Sequence, residues 1–294
     1  LIDPYLAKGF DRITATTYAM IEAMDAGIGR ILDKLDADGL AENTIVMFTS
    51  DNGPAFFNPP FMLNPDEKPF NERFNAGLKG SKGWVHEGGI RVPMVLRFPA
   101  GLPANVMNRE LCHFTDWLPT LASLCDIPAI NRLPLDGHDL SNQLRGEKLQ
   151  VQPRRFWQWN FYYPSVATNA AVRDGDWKLV RPMIAGTRYY KNPDLYLSEE
   201  DAIRTAAFIE NDIKHKENPT SVTELLPVPR IKYPEAEQPE LYNLADDPGE
   251  QNNLAVTRPD ITSRLLCELE TWFESVEADR NSIDDPLHRP SVMQ

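Results

Sequence analysis

At 294 residues the chain is long enough for one large domain or two moderate ones, with the 42 % apolar content of a globular protein and no segment near the ~20 apolar residues that span a bilayer. A net charge of −13, from 43 acidic against 30 basic residues, argues against nucleic-acid binding, which calls for a basic face. It leaves an anionic substrate open, because a local cluster of Lys, Arg or metal outweighs the mean field.

Residues 14–38 read as a long amphipathic helix, with Met20, Met24, Ile28, Ile31 and Leu35 at helical spacing and Gly39 as its stop. NTIVMFTS, 43–50, is β-branched and apolar, as a strand buried on both faces would be. Helix followed by buried strand is the pattern of an α/β sheet. Residues 54–75, rich in Pro, Asn and Phe, read as a long irregular loop, and 78–99 as a glycine-rich loop entering a second strand at 92–98. DWLPTLASLC, 116–125, reads as a short helix with Asp116 as N-cap and Pro119 in its first turn.

After about residue 150 the character changes. AAVRDGDWKLV, 170–180, carries a hairpin signal, with Asp174-Gly175 as a type I′ turn. Residues 239–255 predict a short strand and a tight turn. Residues 260–278 form a second amphipathic helix through Ile261, Leu265, Leu269, Trp272 and Val276. The polar, proline-spotted 191–238 reads as an excursion over the surface. The plan is an α/β domain over 1–150 and a smaller α+β domain over 151–294. Cys112, Cys125 and Cys267 have no metal-ligand spacing and cannot all pair with one another. The chain starts at Leu1 with no signal-peptide pattern, which suggests a processed, truncated or split protein.

Ligands of open α/β sheets bind beyond the carboxyl ends of the strands, and Asp51 and Asn52 fall there. A carboxylate and an amide carbonyl are hard oxygen donors suited to Ca²⁺, with Mg²⁺ as the alternative. The competing reading is a plain turn, because Asn-Gly is a common turn dipeptide. Lys82 is flanked by small residues that permit close approach to a ligand, and its ammonium suits a tetrahedral oxyanion. The competing reading is a solvated loop lysine. His86, four residues on, is either a leaving-group acid or a packing and hydrogen-bonding residue. Glu87 and Arg91, four apart, read as a brace within the loop. The aromatic run 156–164, FWQWNFYYP, reads as core in preference to a sugar-facing platform.

Six segments, FTSDNGP, GSKGWVHEGGIRVP, DWLPTLASLCDIP, LDGHDL, AVRDGDWKLV and ELYNLADDPGEQNNLA, stand in the order and spacing found in type I sulfatases. These are the arylsulfatase-like members of the alkaline phosphatase superfamily. The chain resembles them over nearly its whole length, most weakly at 183–238 and after 280. The resemblance implies part of an alkaline-phosphatase-like mixed sheet flanked by helices, plus a smaller C-terminal antiparallel sheet packed by a helix. It implies Asp51 and Asn52 as Ca²⁺ ligands and Lys82 as a sulfate contact. The family's nucleophile is a formylglycine made from Cys or Ser in a C/S-x-P-x-R motif, and no Cys or Ser in this chain has Pro at +2 and Arg at +4. That motif, an aspartate pair and a histidine are expected upstream of the position matching Leu1.

The resemblance therefore implies the C-terminal portion of a sulfatase, inactive as an isolated segment, that cleaves sulfate from an alcohol, phenol or sugar. Its implied partners are a sulfated small molecule or carbohydrate and the N-terminal half of the same enzyme. The implied location is periplasmic, secreted or lysosomal. Two alternatives stand beside it, a phosphomonoester or phosphonate hydrolase of the same superfamily and a non-catalytic half that binds anions or a partner.

Overall fold

The computed structural model describes residues 1–56, 74–128, 134–147, 154–160, 164–184, 198–218 and 235–282. The chain divides into two units, Leu1–Lys82 with Gly88–Pro153, and Gly83–Glu87 with Arg154–Gln294.

In the first unit a one-turn helix α1 (Asp3–Leu6) precedes the long α2 (Arg12–Ala37). Asp11 caps α2, its Oδ1 accepting from the backbone N–H of Ile13 at 2.9 Å and of Thr14 at 3.0 Å. Gly39, at φ +71°, ends it. The helix thus starts two residues before the expected residue 14, because the cap rather than the apolar pattern sets the boundary. Strand β1 (Val46–Thr49) pairs antiparallel with β2 (Met94–Arg97), Val46 opposite Arg97 and Thr49 opposite Met94. The expectation of a strand buried on both faces does not hold for these residues: Met47 and Val95 are exposed, because β1 and β2 form a two-stranded sheet. Between them lies the short α3 (Glu87–Ile90). Most of the loop expected at 54–75 lies outside the described residues.

Helix α4 (Trp117–Leu124) follows a 3-10 turn, Phe114–Asp116. Asp116 stands at the expected N-cap position of α4, but its side chain makes no capping hydrogen bond there. Its buried carboxylate accepts from His113 N at 2.7 Å and His138 N at 2.8 Å, so it joins the DWLPT segment to the LDGHDL segment. Thr120 adds a second tie, its hydroxyl accepting from Leu140 N at 2.9 Å just before α5 (Ser141–Leu144). A Cβ on Gly137 would lie 1.8 Å from Thr115 O, so this approach requires glycine.

The second unit is built on a four-stranded antiparallel meander, β3 (Arg155–Gln158), β4 (Ala170–Asp174), β5 (Trp177–Arg181) and β6 (Glu240–Asn243). Side chains alternate between its faces. Ala170, Val172, Leu179 and Leu241 pack against Leu265 and Leu269 of α7 (Pro259–Asn281), with Phe156 stacked on Trp272 at 4.9 Å between ring centroids. Ala171, Val180 and Tyr242 form the other face with Val85 and the partly buried Trp157. The aromatic run at 156–164 is therefore core at Phe156 and Trp157, while Trp159 is exposed and 161–163 lie outside the described residues.

Two expectations change here. Asp174 pairs with Trp177, so the hairpin loop is Gly175-Asp176 rather than Asp174-Gly175. Gly175 has φ +60° and Asp176 is not among the described residues with positive φ, which is the pattern of a type II′ turn. Within the polar 191–238 stretch, α6 (Glu199–Glu217) forms a helix of 19 residues. The prolines that suggested an excursion flank it, and i,i+4 pairs Glu200–Arg204 and Glu210–Lys214 run along it.

Candidate active site

Past the end of β1 the chain makes a self-bonded turn. Ser50 Oγ donates to Asn52 O at 2.8 Å and Asn52 Nδ2 donates to Gly53 O at 2.9 Å. With its NH₂ so engaged, Asn52 keeps its side-chain oxygen as an acceptor, and Asp51 beside it is exposed. These are two hard oxygen donors, and they fit Ca²⁺ or Mg²⁺ as part of a shell of about six to eight ligands. Among the described residues no group of three or more His, Cys, Asp or Glu could hold a metal by itself. Asp51 and Asn52 could therefore fill only part of such a shell.

The Lys82 loop is stitched to this turn through backbone. Gly53 N donates to Gly89 O at 2.8 Å, Lys82 N to Pro54 O at 3.0 Å, and Gly88 N to Lys79 O at 2.7 Å. The approach depends on missing side chains. A Cβ on Gly53 would lie 1.9 Å from Gly88 O, and one on Gly88 would lie 2.4 Å from Gly80 O. Lys82 itself is exposed, on a backbone pinned beside Asp51 and Asn52, and Lys79 is half-buried. The structure thus brings together three of the residues singled out from sequence, Asp51, Asn52 and Lys82, although their motifs lie about 30 positions apart in the chain.

His86 takes a different place. It is 1 % exposed within the second unit. Its Nε2 lies 2.8 Å from Glu240 Oε2, which also accepts from the Tyr242 hydroxyl at 2.8 Å, and its ring is near those of Trp84 and Tyr242. Burial first, and the Glu240 hydrogen bond second, push the Tyr242 phenol far above its ordinary pKa, so it stays neutral and donates. This is a packed, hydrogen-bonded setting, the second of the two readings the sequence left for His86.

Sequence reasoning missed the partners of Glu87. Its carboxylate lies 2.9 Å from the fully buried Lys178 Nζ, and Glu250 Oε1 lies 2.9 Å from the same ammonium. Glu250 Oε2 accepts from Glu87 N at 2.7 Å. The available signal was Lys178 itself, a charge in the middle of the apolar strand WKLV, which only a buried counter-charge makes tolerable.

Known proteins resemble this chain. A family model described as sulfatase matches residues 3–127, and one described as N-sulphoglucosamine sulphohydrolase, C-terminal, matches residues 80–221. A sulfatase of Formosa agariphila is 27 % identical over 282 residues, covering 89 % of this chain and 40 % of its own length. An N-acetylgalactosamine-6-O-sulfatase of Bacteroides thetaiotaomicron is 27 % identical over 257 residues, covering 86 % and 40 %. The chain thus spans about two-fifths of the length of these relatives. The crystal structure of Ps i-CgsB in complex with k-i-k-neocarrahexaose superposes with a TM-score of 0.60 at 20 % identity, over 90 % of this chain and 44 % of that one, and shows a shared fold. The crystal structure of yidJ from Bacteroides fragilis superposes with a TM-score of 0.51 at 19 % identity, over 88 % of this chain and 42 % of that one, and shares the mixed α/β fold. Two overlapping family models run from residue 3 to residue 221 and relatives align along most of the chain, so its similarity is to the type I sulfatases.

Proposed function

We propose that this chain supplies the sulfate-gripping part of a sulfuric ester hydrolase that acts on sulfated carbohydrates. The observation that carries the reading is the backbone stitching of the Asp51–Asn52 turn to the Lys82 loop. It sets an ammonium and two hard oxygen donors on neighbouring, rigid backbone, as the binding of an anionic group beside a cation requires. Lys82 binds a sulfate oxygen and neutralises charge that shifts as the ester bond breaks. Asp51 and Asn52 would hold Ca²⁺ or Mg²⁺, which when bound supplies Lewis-acid charge against the same group. Gly53, Gly88 and Gly89 keep the two segments close and pre-oriented. The nucleophile, a formylglycine by family resemblance, would come from outside these 294 residues.

The carbohydrate preference rests on relatives, one named for an N-acetylgalactosamine 6-O-sulfate and one solved with a neocarrahexaose. The test uses the full-length protein that carries these residues, with 4-nitrophenyl sulfate, 4-nitrophenyl phosphate and sulfated oligosaccharides. Sulfate release that falls in Lys82→Ala, together with a bound divalent cation lost in Asp51→Ala, is the expected result. Phosphate release in excess of sulfate release would favour the phosphomonoesterase alternative. Full turnover in chelator by a metal-free preparation would remove the cation from the reading.

A further inference from the structure

Residues 83–87 lie in the chain between the two points where the Lys82 loop is stitched to the Asp51 turn, Lys82 on one side and Gly88–Gly89 on the other. Asn169 reads the backbone of this stretch with its amide, Nδ2 donating to Gly83 O at 2.8 Å and Oδ1 accepting from Val85 N at 3.1 Å. Glu87 is held at both ends, its carboxylate by Lys178 and its N–H by Glu250. Lys178 also pairs with Glu250, so the three side chains close a ring around one residue of the loop.

Two features argue that this grip serves more than stability. A fully buried ammonium between two buried carboxylates is often no better for stability than apolar packing of the same volume. Backbone strain also concentrates here. Five non-glycine residues among those described have positive φ, and the three that are exposed, Ala76, Asn105 and Asp126, lie elsewhere in the chain. The two that are buried are Asn169 (φ +50°) and Glu250 (φ +55°), and both hold residues 83–87. Strain of this kind persists where surrounding structure enforces it, and it gathers at functional sites.

We infer that Asn169, Lys178 and Glu250 are positioning residues that fix the backbone between Lys82 and Gly88, and through the chain the placement of Lys82. The inference rests on the proposed role of Lys82 as the sulfate contact. Asn169 and Lys178 come from the hairpin segment, Asn169 directly before β4 and Lys178 in β5, and Glu250 from the turn after β6. The hairpin and the ELYNL segment thus act on catalysis without touching substrate.

The experiment uses the full-length protein, measuring kcat and KM on 4-nitrophenyl sulfate and the initial rate of tryptic cleavage after Lys82. Lys178→Met would strand two buried carboxylates, so milder variants carry the test. Glu87→Gln keeps shape and an acceptor for Lys178, and Asn169→Gly relieves strain while deleting the side-chain hydrogen bonds to Gly83 and Val85, along with one to Trp159 O. Each is expected to lower kcat about ten- to a hundredfold, as a small misplacement of a reacting group does, and to speed cleavage after Lys82. In a Lys82→Ala background the same changes should alter kcat by less than about twofold, since they act through the lysine already removed. Unchanged kcat in both variants alongside an impaired Lys82→Ala overturns the positioning role alone, as do losses that persist undiminished in the Lys82→Ala background. Wild-type turnover in Lys82→Ala overturns the sulfate-contact reading and the inference with it.

Discussion

Helices α2 and α7 carry the same kind of apolar stripe, and they meet different fates. On α7, Leu265 and Leu269 are fully buried against the β3–β6 sheet. On α2, Met20 is 67 % and Ile31 60 % exposed, and the buried residues are Thr14, Ala15 and Ala19 near its start. Of its larger apolar side chains, Met24 and Ile31 are exposed and Ile28 and Leu35 only half-buried. Periodicity thus names the face that a helix offers to a neighbour, while burial depends on whether a neighbour of matching shape is there. The two strands of the first unit teach the same lesson, since Met47 and Val95 are as apolar as the residues of β4 and β5 yet stand exposed.

The comparison is most easily broken at α7. Leu265→Ala should destabilise the 294-residue chain by about 2–5 kcal/mol in equilibrium unfolding, through lost transfer energy and a residual cavity. An effect below that of a surface substitution would show that the β3–β6 sheet is not the stable core described here. Next in size is Lys178→Met, which leaves the carboxylates of Glu87 and Glu250 buried without their cation and should cost about 3–5 kcal/mol. The matching change in α2, Lys34→Met, removes only an exposed i,i+4 pair with Asp38 and should cost at most about 1 kcal/mol. Equal losses at the two lysines would remove the distinction between the regions.

On the proposed sulfate contact, Lys82→Ala reverses the contrast, acting on chemistry rather than on stability. It should raise the activation barrier of the full-length enzyme by about 2–4 kcal/mol, as loss of one oxyanion donor does, with unfolding unchanged because Lys82 is exposed. A loss equal to that of Lys79→Ala would assign the effect to general positive field instead.

A smaller effect belongs to the cap of α2. Partial burial acts to raise the Asp11 carboxyl, but hydrogen bonds from Thr14 and Ile13 outweigh it and hold its pKa below the usual value. The folded-state pKa is depressed, so this contribution is present above the unfolded value of about 3.9 and lost as pH falls through the folded one. Asp11→Ala should cost about 1 kcal/mol at neutral pH, the usual value of a cap, and the difference from wild type should shrink on acidification. Asp11→Asn should retain the cap without that pH dependence. The smallest effect is expected for Ile31→Ala, within about 0.5 kcal/mol because the side chain is already exposed. A cost near that of Leu265→Ala would mean that the stripe on α2 is covered in solution.

Amino-acid order alone reveals what short-range chemistry encodes. The long helix, the antiparallel hairpin, the closing helix through Leu265, Leu269 and Trp272, and the order of the Asp51 turn and Lys82 loop were all legible, because spacing, turn residues and β-branched runs act over a few positions. Small errors arose where two local signals competed. Asp174-Gly175 and Gly175-Asp176 are both good turn pairs, and strand register chose the second. Helix α6 was hidden because its flanking prolines spoke louder than its own i,i+4 pairs. Partners distant in the chain emerge only on folding. Glu87 is 91 positions from Lys178 and 163 from Glu250, and His86 is 154 from Glu240. Such pairs are chosen by which side chains the folded sheet places together in a space that excludes water, where a charge without its counter-charge is not tolerated. No local pattern specifies that choice, so Glu87 read from sequence only as a brace with Arg91, and the folded structure adds Lys178 and Glu250 as its partners.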